Sequence, residues 1–349
     1  MTATLSLPEG LRFTLPEGLE ASEPPEERGL ARYEVRLLVA DETLTDRTFL
    51  DLPEILEPGD LLVVNTSATL PAAIPADGGN LLVHLGTQLP GGLWLVELRL
   101  PAGAGSLSYF NGRSGQHLTL PDGGTAHLLA PYPIATQAPA RLWYAALHVE
   151  EDLHLYLGRH GHPIRYGYAR QAWPLAAYQT VYADEPGSAE MPSAGRPFSA
   201  RVLDSLARRG IAIARLVLHT GVSSQEENEP PYPEPYRVPA ATADDVNAAR
   251  HSGRRVIAVG TTVARALESV ADETGRAHPG AGWTDLVITP QRGVRVISGI
   301  LSGWHPPGAS HLALLEAIAG PDLLARSYHH ALSEGYRWHE FGDLHLVLP

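Results

Sequence analysis

Val256-Ile-Ala-Val-Gly-Thr-Thr-Val-Ala-Arg265 is the stretch on which the fold class turns. An uninterrupted apolar run of this length suits a strand buried on both faces, the kind found in parallel sheets covered by helices. Gly260 ends the run, and the residues from Thr262 to 271 have helical spacing. Ligands in α/β sheets favour the carboxyl ends of strands, and a helix N-terminus attracts anions through its N–H groups and dipole. Thr261 and Thr262 add hydroxyls there, and Arg265 adds a cation about one turn later, a set that suits a carboxylate. The same residues also suit an ordinary capped turn between strand and helix.

Working outward, 199–209 reads as a helix with Ser199 in the capping position, 211–218 as a strand and 242–252 as a helix. Further helices are expected over 309–319 and 321–333, with a last strand over 344–348. Towards the front, 33–40 and 60–65 suit strands. Between 72 and 149 the texture changes. Short apolar runs (80–85, 93–100, 117–120, 125–129, 142–148) alternate with turn dipeptides such as Asp77-Gly78, Pro90-Gly91 and Asp122-Gly123. That rhythm predicts a small β-barrel or sandwich, of which the barrel is taken. The expected architecture is therefore α/β with two domains: a main domain from 1–71 and 150–349, and an inserted β-barrel over 72–149. Residues 225–239, acidic and proline-rich, read as a mobile surface loop, either a lid or a plain connection.

Composition narrows the function classes. The 349 residues are 44% hydrophobic, enough for two cores, and carry a formal charge of -13 from 26 Lys+Arg against 39 Asp+Glu. Nucleic-acid binders draw affinity from basic surfaces, so such a role would need a local patch. The absence of cysteine removes disulfides, thiolate nucleophiles and Cys-type zinc sites. No apolar run is long enough to span a membrane, and 1–13 lacks the pattern of a secretory leader, so a cytoplasmic location is expected. His219, after the strand 211–218, and His305, before the helix 309–319, are candidates for proton transfer. The pairs His160/His162 and His329/His330 lack a third ligand, and no metal is expected.

Several segments together resemble one family. Tyr178-Gln-Thr-Val-Tyr-Ala183, Glu185-Pro-Gly-Ser188, Pro192-Ser-Ala-Gly195 and Phe198-Ser199 are similar to the central signature of the S-adenosylmethionine:tRNA ribosyltransferase-isomerases of queuosine biosynthesis. Leu218-His219-Thr-Gly221 is similar to the next block, and 255–262 with Arg265, Leu267, Glu268 and Ser269 to a third. Gly299-Ile300, His305, Pro307 and Ala319-Gly320 fall in a fourth, and Tyr336-Arg337 with Phe341-Gly342-Asp343 in the closing one. The resemblance implies a two-domain α/β enzyme with an inserted barrel. It also implies S-adenosylmethionine as substrate, donating its ribosyl group to an amine on a modified tRNA base. The product is an epoxycyclopentanediol adduct, adenine and methionine leave, and no metal takes part. His219 and His305 then become the candidate catalytic groups. Gly260, Thr261, Thr262, Arg265, Glu268, Ser193, Tyr336 and Asp343 become candidate substrate-binding residues.

Departures from the family pattern are concentrated. Pro197 stands where the family carries His, and Arg196 where it carries Leu. Glu190-Met191 replaces a pair of alanines. Ala68 and Ala73 replace arginines, Gly303 and Gly308 an Asn and a Lys. These losses count against tRNA as partner, because each missing phosphate contact weakens binding. A face built from Arg196, Arg254, Arg255 and Arg292 is the one basic surface that could compensate. Two acceptors follow, a tRNA base or a small molecule (or the sulfonium itself), with an inert binding protein as a lesser alternative.

Overall fold

The computed structural model describes residues 11, 13–134, 139–167, 169–222 and 232–349. The chain runs through β1 (Arg36–Ala40), β2 (Leu44–Thr48), the short helix α1 (Leu52–Ile55), β3 (Leu61–Asn65) and β4 (Ser67–Thr69). Then come β5 (Ala73–Ala76), β6 (Leu81–Gln88), β7 (Leu93–Ala102), β8 (Gly105–Ser108), β9 (His117–Thr119), β10 (Thr125–Tyr132) and β11 (Leu142–His148), followed by α2 (Leu153–His160). Beyond these lie β12 (Glu185–Ser188), α3 (Ala200–Arg208), β13 (Ala212–Leu218), β14 (Glu234–Val238), α4 (Ala240–His251) and β15 (Val256–Val259). The chain closes with α5 (Thr261–Ser269), β16 (Gly280–Thr284), β17 (Gly299–Gly303), α6 (His311–Ser333) and β18 (Leu344–Val347).

The main sheet has the order β16-β14-β13-β3-β15-β17-β18-β1-β2. Its centre, β13-β3-β15-β17, is parallel, so these four strands end along one edge. Antiparallel β14 and β16 extend one side, and antiparallel β18 follows β17 on the other. Alternate residues of the central strands feed opposite cores. Leu61, Val63, Val256 and Ala258 pack with Val246 of α4, Leu267 of α5 and Leu315 of α6. Leu62, Val64, Ile257 and Val259 pack with Leu52 of α1 and Val202 and Leu206 of α3. A sheet buried on both faces is the arrangement that the apolar run after Arg255 predicts. The second sheet, β5-β6-β7-β11-β10-β9 with β8 on β7, is antiparallel and nearly closes into a small barrel. Its core takes in Tyr156 and Leu157 of α2, together with Ile164 and Tyr166.

Two expectations change, and one strand is new. Of the expected loop 225–239, residues 225–231 lie outside the described residues, while Glu234–Val238 is a strand wedged between β13 and β16. Pairing on both sides outweighs the proline there, and the carbonyl of Pro235 accepts the N–H of His219 at 3.0 Å. The two helices expected after 309 form one run interrupted at Gly320, whose φ of 73° only glycine adopts easily, just ahead of Pro321. β17 had no strand signature beyond its family motif, because glycines bound it at both ends.

Glu268 was expected at the ligand, and the structure spends it elsewhere. Its carboxylate accepts the backbone N–H groups of Arg295 (2.9 Å) and Val296 (2.8 Å) and the guanidinium of Arg292 (3.0 Å), clasping α5 to the segment that leads into β17. Truncating a buried, charge-assisted hub leaves several donors unsatisfied. Glu268→Ala should therefore lower stability by about 3–5 kcal/mol in urea denaturation.

His345 on β18 is fully buried, stacked on Trp304 with centroids 4.7 Å apart, and among the described residues neither ring nitrogen has a hydrogen-bond partner. Burial pushes its pKa down to about 3, and that of His311 to about 4. Both are neutral when folded, whereas the unfolded chain binds protons below the ordinary histidine value of about 6.5. Stability should thus fall as pH drops below about 6.5, by up to about 1.4 kcal/mol per pH unit for each such histidine, until the folded form also protonates. His345→Phe should flatten this slope by one proton's worth between pH 6 and 4, measured by urea denaturation at each pH.

Candidate active site

A cavity of about 730 Å³ opens where the parallel strands end. Thr220 and Gly221 follow β13, Gly260 follows β15, and Ser302 and Gly303 close β17; all line it. Tyr166 and Tyr232, members of the barrel core, form another wall with Glu190, and the stretch from Trp304 to His311 a third. The volume falls within the range of small-molecule sites.

The turn into α5 is shaped by Gly260, whose φ of 93° disfavours any side chain and whose N–H is held by the carbonyl of Leu301 at 2.8 Å. Among the described residues no side chain caps the first turn of α5, so its N–H groups stand at the cavity end of the helix without an internal acceptor. Asn65, at the end of β3, aims Nδ2 at Thr262 Oγ1 (3.3 Å) and at the carbonyl of Leu218 (2.8 Å). Ser193 lies in the wall on a short turn, with Ala194 packed beside Gly260.

Arg265 also reaches the wall, but its guanidinium is committed. Nε donates to the carbonyl of Leu286 (3.2 Å), Nη2 to those of Thr284 (3.0 Å) and Tyr232 (3.3 Å), and Nη1 pairs with Glu234. A buried cation needs such partners. Arg265 therefore braces α5 against β14 and β16, which differs from the expected role of clamping a ligand carboxylate.

His305 lines the cavity with Nε2 2.9 Å from Ser302 Oγ, and its ring stacks on His311 at 4.4 Å between centroids. Burial, with the neighbouring histidines, drives its pKa well below the usual value, so the imidazole is neutral near pH 7. His219 sits one layer back. Its Nδ1 is 2.7 Å from Ser67 Oγ, which lies 2.6 Å from Ser188 Oγ, and Ser188 in turn accepts the N–H of Thr220 at 3.0 Å. Gly187 packs so closely on the imidazole that a β-carbon there would lie 2.4 Å from it. His219 is thus outside the described cavity lining, and its pKa is lowered mainly by burial.

Tyr336 and Asp343 are also absent from that lining. Tyr336 donates its hydroxyl to Asp46 (2.5 Å) beneath the guanidinium of Arg36, and Asp343 accepts the N–H groups of Arg36 (2.9 Å) and Arg337 (2.8 Å). The site therefore brings together Ser193, Gly260, Thr261, Thr262, Arg265 and His305, and leaves His219, Glu268, Tyr336 and Asp343 outside. Sequence reasoning passed over His311, Tyr166 and Tyr232. Glu190 was visible there only as a departure. Among the described residues no cluster of three or more metal-ligating side chains occurs.

The expected basic face does not form. Arg196 is buried and paired with Glu26, Arg255 with Asp60, Arg292 with Glu268, and Arg254 lies 3.6 Å from Glu57. The other departures are scattered: Ala73 is in the barrel core, Ala68 is on β4 and Pro197 is buried in a small crevice that shares Ser193, Gly303, His339 and Glu340 with the cavity, while Gly303 and Gly308 line the cavity.

The family model for queuosine biosynthesis proteins matches residues 9–347. An S-adenosylmethionine:tRNA ribosyltransferase-isomerase of Symbiobacterium thermophilum is 36% identical over 348 residues, covering 96% of this chain and 98% of the relative. The enzyme of that name from Thermus thermophilus is 32% identical, covering 97% and 99%. The crystal structure of an S-adenosylmethionine tRNA ribosyltransferase from Thermotoga maritima superposes with a TM-score of 0.54 at 26% identity, covering 97% of this chain and all of that one. On sequence over its near-entire length and on fold, the chain belongs to the queuosine biosynthesis protein family.

Proposed function

We propose that the protein is an S-adenosylmethionine:tRNA ribosyltransferase-isomerase acting in the cytoplasm. The observation that carries this reading is its likeness, end to end, to enzymes of that name. The cavity supports it. The methionine carboxylate of the donor is assigned to the uncapped first turn of α5, where the N–H groups, the hydroxyls of Thr261 and Thr262 and the helix dipole converge. His305, neutral and hydrogen-bonded to Ser302, is assigned as the base that removes the proton next to the sulfonium. An amine on the acceptor base then takes up the rearranged ribosyl unit as an epoxycyclopentanediol, and adenine and methionine leave.

His219 is assigned a positioning role. Through Ser67 and Ser188 it holds the start of the Thr220–Gly221 wall. The division into a main domain of 1–71 and 150–349 and an insert of 72–149 belongs to the same reading; Tyr166 and Tyr232, which pack into the barrel core, carry its contact with the cavity.

A small-molecule acceptor is the second reading. One observation favours it: each arginine of the candidate basic face is matched to a carboxylate, in a chain of charge -13. Incubation with S-adenosylmethionine, with and without tRNA carrying the aminomethyl-deazaguanine base, separates the two by mass spectrometry. The first reading expects modified tRNA, with adenine and methionine released only when tRNA is present. Release without tRNA, and an unmodified tRNA, would overturn it. His305→Gln should slow turnover by on the order of 10²–10⁴-fold while leaving donor affinity within a few-fold, as single-turnover kinetics and calorimetry would show.

A further inference from the structure

Asn65 ends β3 with its side chain buried between the end of β13 and the first turn of α5, and its neighbours settle which way its amide faces. The backbone N–H groups of Leu218 (3.0 Å) and Ser67 (3.1 Å) both point at one end of the amide, and only the oxygen can accept them. Nδ2 therefore occupies the other end, against the carbonyl of Leu218 (2.8 Å) and Thr262 Oγ1 (3.3 Å). Turning the amide over would leave both N–H groups and the carbonyl buried and unsatisfied, which is costly.

This orientation fixes the polarity of a hydroxyl in the cavity wall. A hydroxyl can donate and accept, whereas an amide NH2 only donates. Thr262 Oγ1 is thus the acceptor in its bond to Asn65, and its own proton is turned elsewhere. Among the described residues the bond from Asn65 is the one hydrogen bond of this hydroxyl. The oxygen lies at the start of α5, 3.7 Å from where a β-carbon on Gly260 would stand, and Gly260 and Thr262 both line the cavity.

We infer that Asn65 is a positioning residue for donor recognition: by holding Thr262 Oγ1 as an acceptor it presents the hydroxyl proton to the cavity, where it joins the N–H groups of α5 in selecting the carboxylate of S-adenosylmethionine. This rests on the proposed placement of that carboxylate and adds to it the residue that makes the threonine a donor. An aspartate has nearly the same shape and the opposite effect. Its carboxylate accepts only, so it would draw the Thr262 proton to itself and set a second anion beside the ligand's. A hydrogen bond to a charged acceptor is worth on the order of tenfold or more in affinity.

Calorimetric titration of the full chain with S-adenosylmethionine and, separately, with decarboxylated S-adenosylmethionine, which lacks only the carboxylate, measures that selection. The wild type should bind the carboxylate-bearing ligand more tightly. Asn65→Asp should reduce this preference by on the order of tenfold. Thr262→Val deletes the hydroxyl and keeps the shape, so it should reduce the preference by a similar factor, and the two losses should fall short of adding in the double variant. Thr262→Val carries the test alone if Asn65→Asp fails to fold. An Asn65 that serves the fold alone would, when changed, weaken binding of both ligands by the same factor. That result, or a preference unchanged in Thr262→Val, or a wild type without the preference, overturns the inference while leaving the proposed function standing. No binding of S-adenosylmethionine by the wild type would overturn both.

Discussion

The side-chain amide of Asn65 holds the site together. Its Oδ1 accepts the N–H groups of Leu218 (3.0 Å) and Ser67 (3.1 Å), while Nδ2 donates to the carbonyl of Leu218 (2.8 Å) and reaches Thr262 Oγ1 (3.3 Å). One buried amide thus ties the ends of β3 and β13 to the first turn of α5. A planar amide with both donor and acceptor satisfied is rigid, and the low dielectric around it makes every alternative arrangement costly. The order of the hydrophobic strands sets the sheet. Asn65 sets where the carboxyl ends stand relative to one another, and so where Thr220, Gly260 and Thr262 meet.

Around this anchor the charged groups follow one rule. Those that are buried are spent on one another: Arg265 on Glu234, Arg292 on Glu268, Arg196 on Glu26, and Arg99 and Arg141 on Glu97. Removing ions from water is expensive, so partnerless charges do not survive in such places. On the proposed function, recognition at α5 therefore falls to backbone N–H groups and hydroxyls, and proton transfer to neutral imidazole. Stacking His305 on His311 reinforces this, because a second proton on the pair would set two cations in contact.

Much of this was legible in the sequence, and the boundary of legibility has physical causes. The apolar run after Arg255 announced a doubly covered strand because burial on both faces leaves no polar alternation, and Gly260 with two threonines announced the turn. Ser199 was readable as a cap, and its hydroxyl does accept the N–H of Val202. Strands such as β12, β16 and β17 were not readable, since their glycines and prolines carry no strand propensity and pairing alone makes them strands. Motif residues divided along a similar line. Thr261, Thr262 and His305 line the cavity, while Glu268, Tyr336 and Asp343 lie outside its lining in hydrogen bonds that join elements of the fold. A motif records that a residue is required, and only the hydrogen bonds show for what.

The acceptor side is where sequence and structure lean differently. Counted as letters, the changes at Ala68, Ala73 and Pro197 look like the loss of a polyanion site. Placed in the fold, Ala73 is inside the barrel core and Pro197 is buried in a small crevice beside the cavity, so neither is in the lining of the cavity where chemistry is assigned. Arg196, gained beside Pro197, fills that region with a guanidinium stacked 5.0 Å over Phe341 and paired with Glu26. The pair of changes thus reads as repacking in which a side chain from one element answers another. What distinguishes this cavity from the family pattern lies instead in its wall, in the carboxylate of Glu190 and the glycines at 303 and 308. Those positions bear on which ligand charge and shape the cavity accepts, and long-range attraction of a phosphate backbone bears on something else, the approach to it. Selectivity in the cavity and affinity for a polyanion are therefore separable properties, and Glu190, Met191, Gly303 and Gly308 are departures that stand in the cavity lining.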